Sequence, residues 1–294
     1  MTVAGRARVA VFRTLGALIE RVPESVAVSG GRRIARALRV PGARSNLAIN
    51  LAHALGEGPE VDGPLVERFV DRALASYGQY WAESAKLPAL SATTISERFQ
   101  IAEGRGHLDA AHAAGKGVVI ALPHVGSWEW GGAFLAQIGM PMTAVAEALE
   151  PPALFQWFKT KRESIGITIE PLDAHAGTVL LDTLRRGGVV GLLCDRDLVG
   201  NGIPVEFFGE RVTLPAGPAT LALRTGATLV AAACYAGPGR DHHAVVTEPI
   251  PAERLGRLRD DVARVTQAIA VELEGLIRRA PEQWHVLQPR FDQP

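Results

Sequence analysis

The period of the apolar positions changes near residue 104. Before it, apolar residues recur every three or four positions. Val11, Phe12, Leu15, Leu18, Ile19 and Val22 make one stripe, and Leu65, Phe69, Ala73, Tyr77 and Tyr80-Trp81 make another. That spacing lines one face of an α-helix, so helices are predicted from the start of the chain to Pro23, over 44–55 and over 64–86. The aromatic cluster on the last of these reads as core. From Gly104 onward short apolar runs take over, at 117–122, 142–147, 167–170, 188–194, 203–208, 227–235 and 243–248, each of strand length. Helical patterns at 128–139, 152–166, 175–186 and 215–225 lie between several of them. A last helix, at about 255–279, carries Leu258, Val262, Val265, Ile269, Leu273 and Leu276 on one face, and Pro281 closes it. Strand–helix alternation predicts an α/β fold: a largely parallel central sheet flanked by helices, with an N-terminal helical segment. Residues 1–294 read as a single domain, 1–100 mostly helical and 104–294 the α/β core. No internal repeat, low-complexity segment or linker interrupts it.

Composition narrows the partners. The chain is 47% hydrophobic and 21% charged, with Lys+Arg and Asp+Glu both at 31, so no global charge points to nucleic acid. Cys194 and Cys234 fall inside apolar runs and read as small core residues in a reducing compartment. No apolar run approaches the roughly 20 residues of a spanning helix. Arg6, Arg8 and Arg13 lead into an apolar run that Glu20 and Arg21 soon end without a small-residue cleavage site, which predicts an intracellular chain. Residues 1–40 are nevertheless basic, with eight arginines against Glu20 and Glu24. An apolar stripe flanked by arginines suits a helix lying in an anionic bilayer interface; an ordinary first helix packed on the core is the other reading.

Several chemistries are disfavoured. Ser127 sits in Val-Gly-Ser-Trp-Glu, which lacks the second glycine of a nucleophile elbow. There is no P-loop, and Gly104-Arg105-Gly106 and Gly115-Lys116-Gly117 lack the third glycine of a dinucleotide fingerprint. His242 and His243 are strand neighbours that point to opposite faces, and no Cys/His cluster has zinc-site spacing, so no metal is expected.

What remains is His124 and Glu129, in Leu122-Pro123-His124-Val125-Gly126-Ser127-Trp128-Glu129-Trp130. His124 follows a buried strand and Glu129 falls in the first turn of the next helix. On one continuous helix the two side chains would stand about 140° apart. They meet only if His124 lies in the loop and Glu129 reaches back to hold one ring nitrogen, leaving the other to take a proton from a hydroxyl. With no nucleophile beside it, such a pair suits direct attack of a bound alcohol on an activated acyl group. A half-buried structural histidine is the alternative. Cys194-Asp195-Arg196-Asp197-Leu198 follows another apolar strand, where open α/β sheets place ligands. Leu214-Pro215-Ala216-Gly217-Pro218-Ala219 reads as a turn opening a helix, whose free N–H groups suit an anion.

His124 to Glu129 matches the H-x-x-x-x-[D/E] motif of the glycerolipid and lysophospholipid acyltransferase superfamily. Leu122-Pro123-His124, Phe207-Phe208-Gly209, Pro215-Ala216-Gly217-Pro218-Ala219 and Pro281-Glu282-Gln283-Trp284-His285 resemble its lipid A lauroyl/myristoyl acyltransferase branch. Further stretches are similar to actinobacterial phosphatidylinositol mannoside acyltransferases. They are Ala75-Ser76-Tyr77 through Tyr80-Trp81, Val145-Ala146-Glu147, Arg162-Glu163-Ser164 with Gly166, Asp195-Arg196-Asp197-Leu198, and Trp284-His285-Val286-Leu287-Gln288-Pro289.

The resemblance implies a peripheral enzyme on the cytoplasmic face of the cell membrane. It would move a fatty acyl chain from acyl-CoA, its donor substrate, to a sugar hydroxyl of a mannosylated phosphoinositide, with no cofactor. His124 would be the base, Glu129 its carboxylate partner, and Glu147, Arg162, Asp195 and Arg196 substrate-binding residues. The mannoside enzymes carry Asp where Glu129 stands and Glu where Asp195 stands, so each carboxylate shifts by one methylene. Partners implied are acyl-CoA, a glycolipid acceptor and an anionic membrane surface. The alternatives are transfer to another lipid acceptor, an acyl-CoA thioesterase, and a lipid-binding protein without turnover.

Overall fold

The computed structural model describes residues 3–38, 40–56 and 63–291; Arg39 of the basic N-terminal stretch lies outside them. Helices come first: α1 (Val3–Arg21), α2 (Glu24–Ala37), α3 (Ala43–Leu55), α4 (Pro64–Lys86) and α5 (Ala92–Arg98). They lead into β1 (Phe99–Glu103), α6 (Arg105–Ala113), β2 (Val118–Leu122), α7 (Trp128–Gln137), β3 (Met142–Ala146), α8 (Pro152–Glu163) and β4 (Thr168–Pro171). Then follow α9 (Ala176–Arg185), β5 (Val189–Leu193), β6 (Ile203–Phe207), β7 (Glu210–Leu214), α10 (Gly217–Thr225), β8 (Thr228–Ala236), β9 (His242–Val246) and α11 (Leu258–Arg279).

Among the described residues a seven-stranded sheet runs in the order β1-β9-β8-β2-β5-β3-β4. Neighbours are parallel except β8 and β9, which pair antiparallel. The α/β prediction therefore holds, and all the strands expected from Val118 onward form. The first strand, Phe99–Glu103, precedes the change of period at Gly104 and lies on the sheet edge against β9. β2 is buried along its whole length and reads Val-Val-Ile-Ala-Leu, as a central strand covered on both faces must. Apolar clusters fill both sides of it: α9, α10 and α11 supply residues to one, and α6 and α7 to the other. β6 and β7 form a separate two-stranded ribbon. Its tip is Phe208-Gly209, with φ of 53° and 80°, a pair of left-handed residues that suits the twist of a two-residue hairpin loop.

The N-terminal helices are docked through close contacts. α2 crosses α4 where Gly31 and Gly78 face each other; a Cβ on Gly78 would stand 2.1 Å from the Gly31 carbonyl oxygen. α1 lies against α8, with Phe12 packed on Trp157 and Phe158 and Gly16 against the Trp157 ring. Glu20 pairs with Lys161, and the Lys86 ammonium donates to its carbonyl at 2.7 Å. The apolar stripe of α1 is thereby split. Phe12 and Ile19 face the protein, while Val11, Leu15 and Leu18 are 55, 51 and 55% exposed. Both cysteines are free and buried, as expected, and burial raises both thiols, Cys234 to about 12. His242 and His243 also diverge as predicted. His242 is buried against Glu83 at 3.0 Å, and His243 stacks on Tyr235. No helix among the described residues is long and apolar enough to cross a membrane.

Candidate active site

The parallel register of β2 and β5 builds the centre of the site. Leu122 pairs with Leu193, so the residues two positions on, His124 and Asp195, leave the carboxyl edge of adjacent strands side by side. Asp195 holds His124 twice. One carboxylate oxygen accepts from the His124 backbone N–H at 2.9 Å, and the other lies 2.5 Å from the imidazole Nδ1. The first oxygen also accepts from the Trp284 indole N–H at 2.8 Å. Asp195 is fully buried. Burial alone would raise its pKa, but the neighbouring imidazole and these donors outweigh it and hold the carboxyl well below the usual carboxylate range.

The loop that carries His124 is pinned from three sides. The His124 carbonyl accepts from the His285 N–H at 2.7 Å, Gly126 N–H donates to the Gln283 carbonyl, and Ser127 N–H donates to the Cys234 carbonyl. Gly126 has φ 57°, and a Cβ there would lie 2.0 Å from the Cys234 oxygen, so the motif needs glycine at this position. Trp284 is braced in turn by Phe207 and Phe208, at ring separations of 6.2 and 5.7 Å. The Phe-Phe-Gly segment is thus a support for the residue that holds Asp195.

The pairing expected between His124 and Glu129 is not the one found: the carboxylate on the imidazole is Asp195. Glu129, in the first turn of α7, points instead to α4 and α8. One of its oxygens accepts from Tyr80 at 2.9 Å, Ser84 at 3.3 Å and Arg162 at 3.2 Å. Glu129 is buried, and its second oxygen has no partner among the described residues. The Arg162 guanidinium lies over Trp128 and Phe158, at 5.1 and 5.7 Å from the ring centres. Burial would lower its pKa, but the Glu129 charge reverses that and keeps it firmly protonated. The Tyr80 hydroxyl is pushed up by burial and by Glu129.

Sequence reasoning overlooked the residues that join these two groups. His285 donates its backbone N–H to His124, hydrogen-bonds Ser76 Oγ through Nε2 at 2.9 Å, and packs its ring 5.4 Å from that of Tyr80. Burial, with a smaller contribution from His124, pushes its pKa down to about 3, so it is neutral at pH 7. In the sequence the Tyr80 cluster reads as core, and the Trp284-His285 stretch is only a mark of resemblance. Nothing in their spacing ties them to residue 124. Arg196 reaches His124 directly: its Nη2 lies 2.9 Å from Nε2, and its Nη1 donates to Gln288 Oε1 at 2.7 Å. Glu147 stands exposed just past β3, at the same edge of the sheet, with no hydrogen bond or ion pair among the described residues. No group of metal-ligating side chains occurs among the described residues.

A buried carboxylate on Nδ1 fixes the imidazole tautomer with its lone pair on Nε2, and such a ring can take a proton from a hydroxyl. No serine, threonine or cysteine side chain hydrogen-bonds His124 among the described residues. Residues 7–293 match the family described as bacterial lipid A biosynthesis acyltransferase. The chain belongs to that family. It is therefore an acyltransferase-family enzyme, with an acyl donor and a lipid acceptor implied. It is 39% identical over 269 residues to a phosphatidylinositol mannoside acyltransferase of Mycobacterium tuberculosis, covering 90% of this chain and 80% of that one. A protein of the same description from Mycolicibacterium smegmatis is 35% identical over 284 residues, 95% of this chain and 88% of that one. A lipid A biosynthesis acyltransferase of Haemophilus influenzae is 26% identical over 223 residues, covering 74% and 67%.

Proposed function

We propose that this acyltransferase moves a fatty acyl chain from acyl-CoA to a sugar hydroxyl of a phosphatidylinositol mannoside, by direct attack with His124 as general base. The observation that carries the mechanism is the Asp195–His124 pair: with Asp195 on Nδ1, the lone pair that can take a proton is on Nε2, which the Arg196 guanidinium faces at 2.9 Å. The hydroxyl proton passes to Nε2 as its oxygen attacks the thioester carbonyl. The tetrahedral intermediate then collapses to the ester, expelling the CoA sulfur, which takes the proton back from the imidazolium. Asp195 stabilises that imidazolium. Glu129 acts at one remove, fixing Arg162 and Tyr80 at the wall of the site; Arg162 and Glu147 are the groups we assign to substrate polar atoms. The acceptor rests on the similarity to the mycobacterial enzymes. Mass spectrometry of products from acyl-CoA incubated with mannolipid, lysophospholipid and lipid A-type acceptors tests it. Acylated mannolipid is the expected product. Acylation of either other acceptor in preference would overturn the choice of acceptor, and free fatty acid with all three would overturn transfer itself.

We also assign α1 to the bilayer interface. Its inner face is occupied by α8, yet Val11, Leu15 and Leu18 stay exposed beside Arg6, Arg8, Arg13 and Arg21. Three exposed aliphatic side chains at helical spacing gain from entering acyl chains while the arginines meet anionic headgroups. In vesicle flotation with anionic liposomes, the double variant Leu15→Asp, Leu18→Asp is expected to lose most of the bound fraction. Because both positions are solvent-exposed, its melting temperature should stay near wild type. Unchanged flotation would remove α1 from the interface.

A further inference from the structure

The Arg196 guanidinium occupies the nitrogen that the proposed mechanism needs. With Asp195 on Nδ1, the Nε2 lone pair is the acceptor of the Arg196 Nη2 hydrogen at 2.9 Å. An imidazole capped in this way cannot take a proton from water or from any other hydroxyl until the guanidinium leaves. We propose that Arg196 is a latch on the base, displaced by the acceptor lipid, which makes the enzyme select a sugar hydroxyl over water. This rests on the reading of His124 as the base.

The surroundings divide what moves from what stays. Asp195 is buried and gripped by His124 and Trp284. On the other side, Asp197 accepts from the N–H groups of Val199, Gly200 and Gly202 and from the Thr213 hydroxyl. The backbone on both sides of Arg196 is therefore held, and the freedom lies in its side chain. That side chain is weakly tied. Beyond His124 its partner is Gln288, and its Nε–H is buried with no acceptor among the described residues. A polar acceptor headgroup offering oxygens at this edge supplies the missing partner and draws the guanidinium off Nε2. The contact is also self-releasing. Once Nε2 carries a proton, both groups are donors and both are positive, so Arg196 cannot return until the proton has passed to the CoA sulfur.

Without acceptor, hydrolysis would follow the same path. Water gives its proton to Nε2, its oxygen adds to the thioester carbonyl, and the intermediate expels CoA, which takes the proton, leaving a free fatty acid. The latch suppresses this route. The test is release of CoA from palmitoyl-CoA, read with a thiol-reactive dye, with and without mannosylated phosphatidylinositol. Arg196→Met is expected to raise acceptor-free release by about tenfold, the scale of one hydrogen bond removed from the base, and to lower the ratio of transfer to hydrolysis. Gln288→Leu, which keeps Arg196 but cuts its other tether, is expected to move both readings the same way by a smaller factor, and it decides the matter if Arg196→Met does not fold. Acceptor-free release at or below the wild-type rate in a folded variant overturns the latch. So does a raised release that survives when His124→Ala is added to Arg196→Met. A failure of the underlying reading shows separately, as His124→Ala alone leaving transfer intact.

Discussion

Replacing His124 by alanine is expected to reduce acyl transfer by about 10³-fold or more, measured as ester product formed per enzyme per minute. The imidazole is the group in the site with one nitrogen held by a buried carboxylate and a lone pair on the other, which takes the proton once Arg196 leaves it. The substitution also leaves Asp195 buried with one oxygen stripped of its partner, so a loss of about 1–3 kcal/mol of stability should accompany it. His124→Gln separates the two effects. Its amide N–H can still reach the carboxylate while no nitrogen can accept a proton, so the melting temperature should recover and the activity should not. A folded His124→Gln protein with transfer within tenfold of wild type would refute the assignment of the base.

Asp195→Asn is expected to cost about 10³- to 10⁴-fold in kcat with a much smaller change in KM for acyl-CoA. The amide oxygen is best placed on the two N–H donors that Asp195 Oδ2 now serves, the His124 backbone and the Trp284 indole. Its NH₂ group then faces Nδ1 and forces the tautomer in which Nε2 carries the hydrogen, and a ring in that form is no base. Glu129→Gln is the informative contrast. If Glu129 were the carboxylate on the imidazole, the order would be reversed, with Glu129→Gln forcing the wrong tautomer and Asp195→Asn the milder change. With Glu129 on Tyr80, Ser84 and Arg162, its substitution should fall mainly on KM and spare more of kcat. A larger loss of kcat in Glu129→Gln than in Asp195→Asn would return Glu129 to the imidazole.

Much of the fold was legible from periodicity because each central strand is a short apolar run and each long helix buries one face. The elements that escaped have physical reasons. β7 begins with Glu210-Arg211 and is a strand only through its pairing with β6. β1 has apolar residues at Phe99 and Ile101 and exposed ones at Gln100, Ala102 and Glu103, as an edge strand does. α2 contains Gly30-Gly31, a pair that lowers helix propensity; the close approach to Gly78 requires the second of them. The stripe of α1 was visible, but its division into a packed and a bare side depended on where Trp157 and Phe158 arrive from α8.

For the site, the sequence alone determined that a histidine ends a buried strand, that a carboxylate opens the next helix, and that Asp195-Arg196 ends another strand. Those are local facts, written in runs of apolar residues and the polar residues that stop them. Only the tertiary structure decided which carboxylate serves the imidazole. Asp195 lies 71 residues from His124, and the two meet because β2 and β5 are parallel neighbours in one particular register. The same closure brings Trp284 and His285 from the far end of the chain onto that pair, and it turns Glu129 toward Arg162 because the first turn of α7 faces α4 and α8. Periodicity specifies which face of an element is buried. It carries no information about which element lies opposite, and at this site that neighbour sets the tautomer of the histidine.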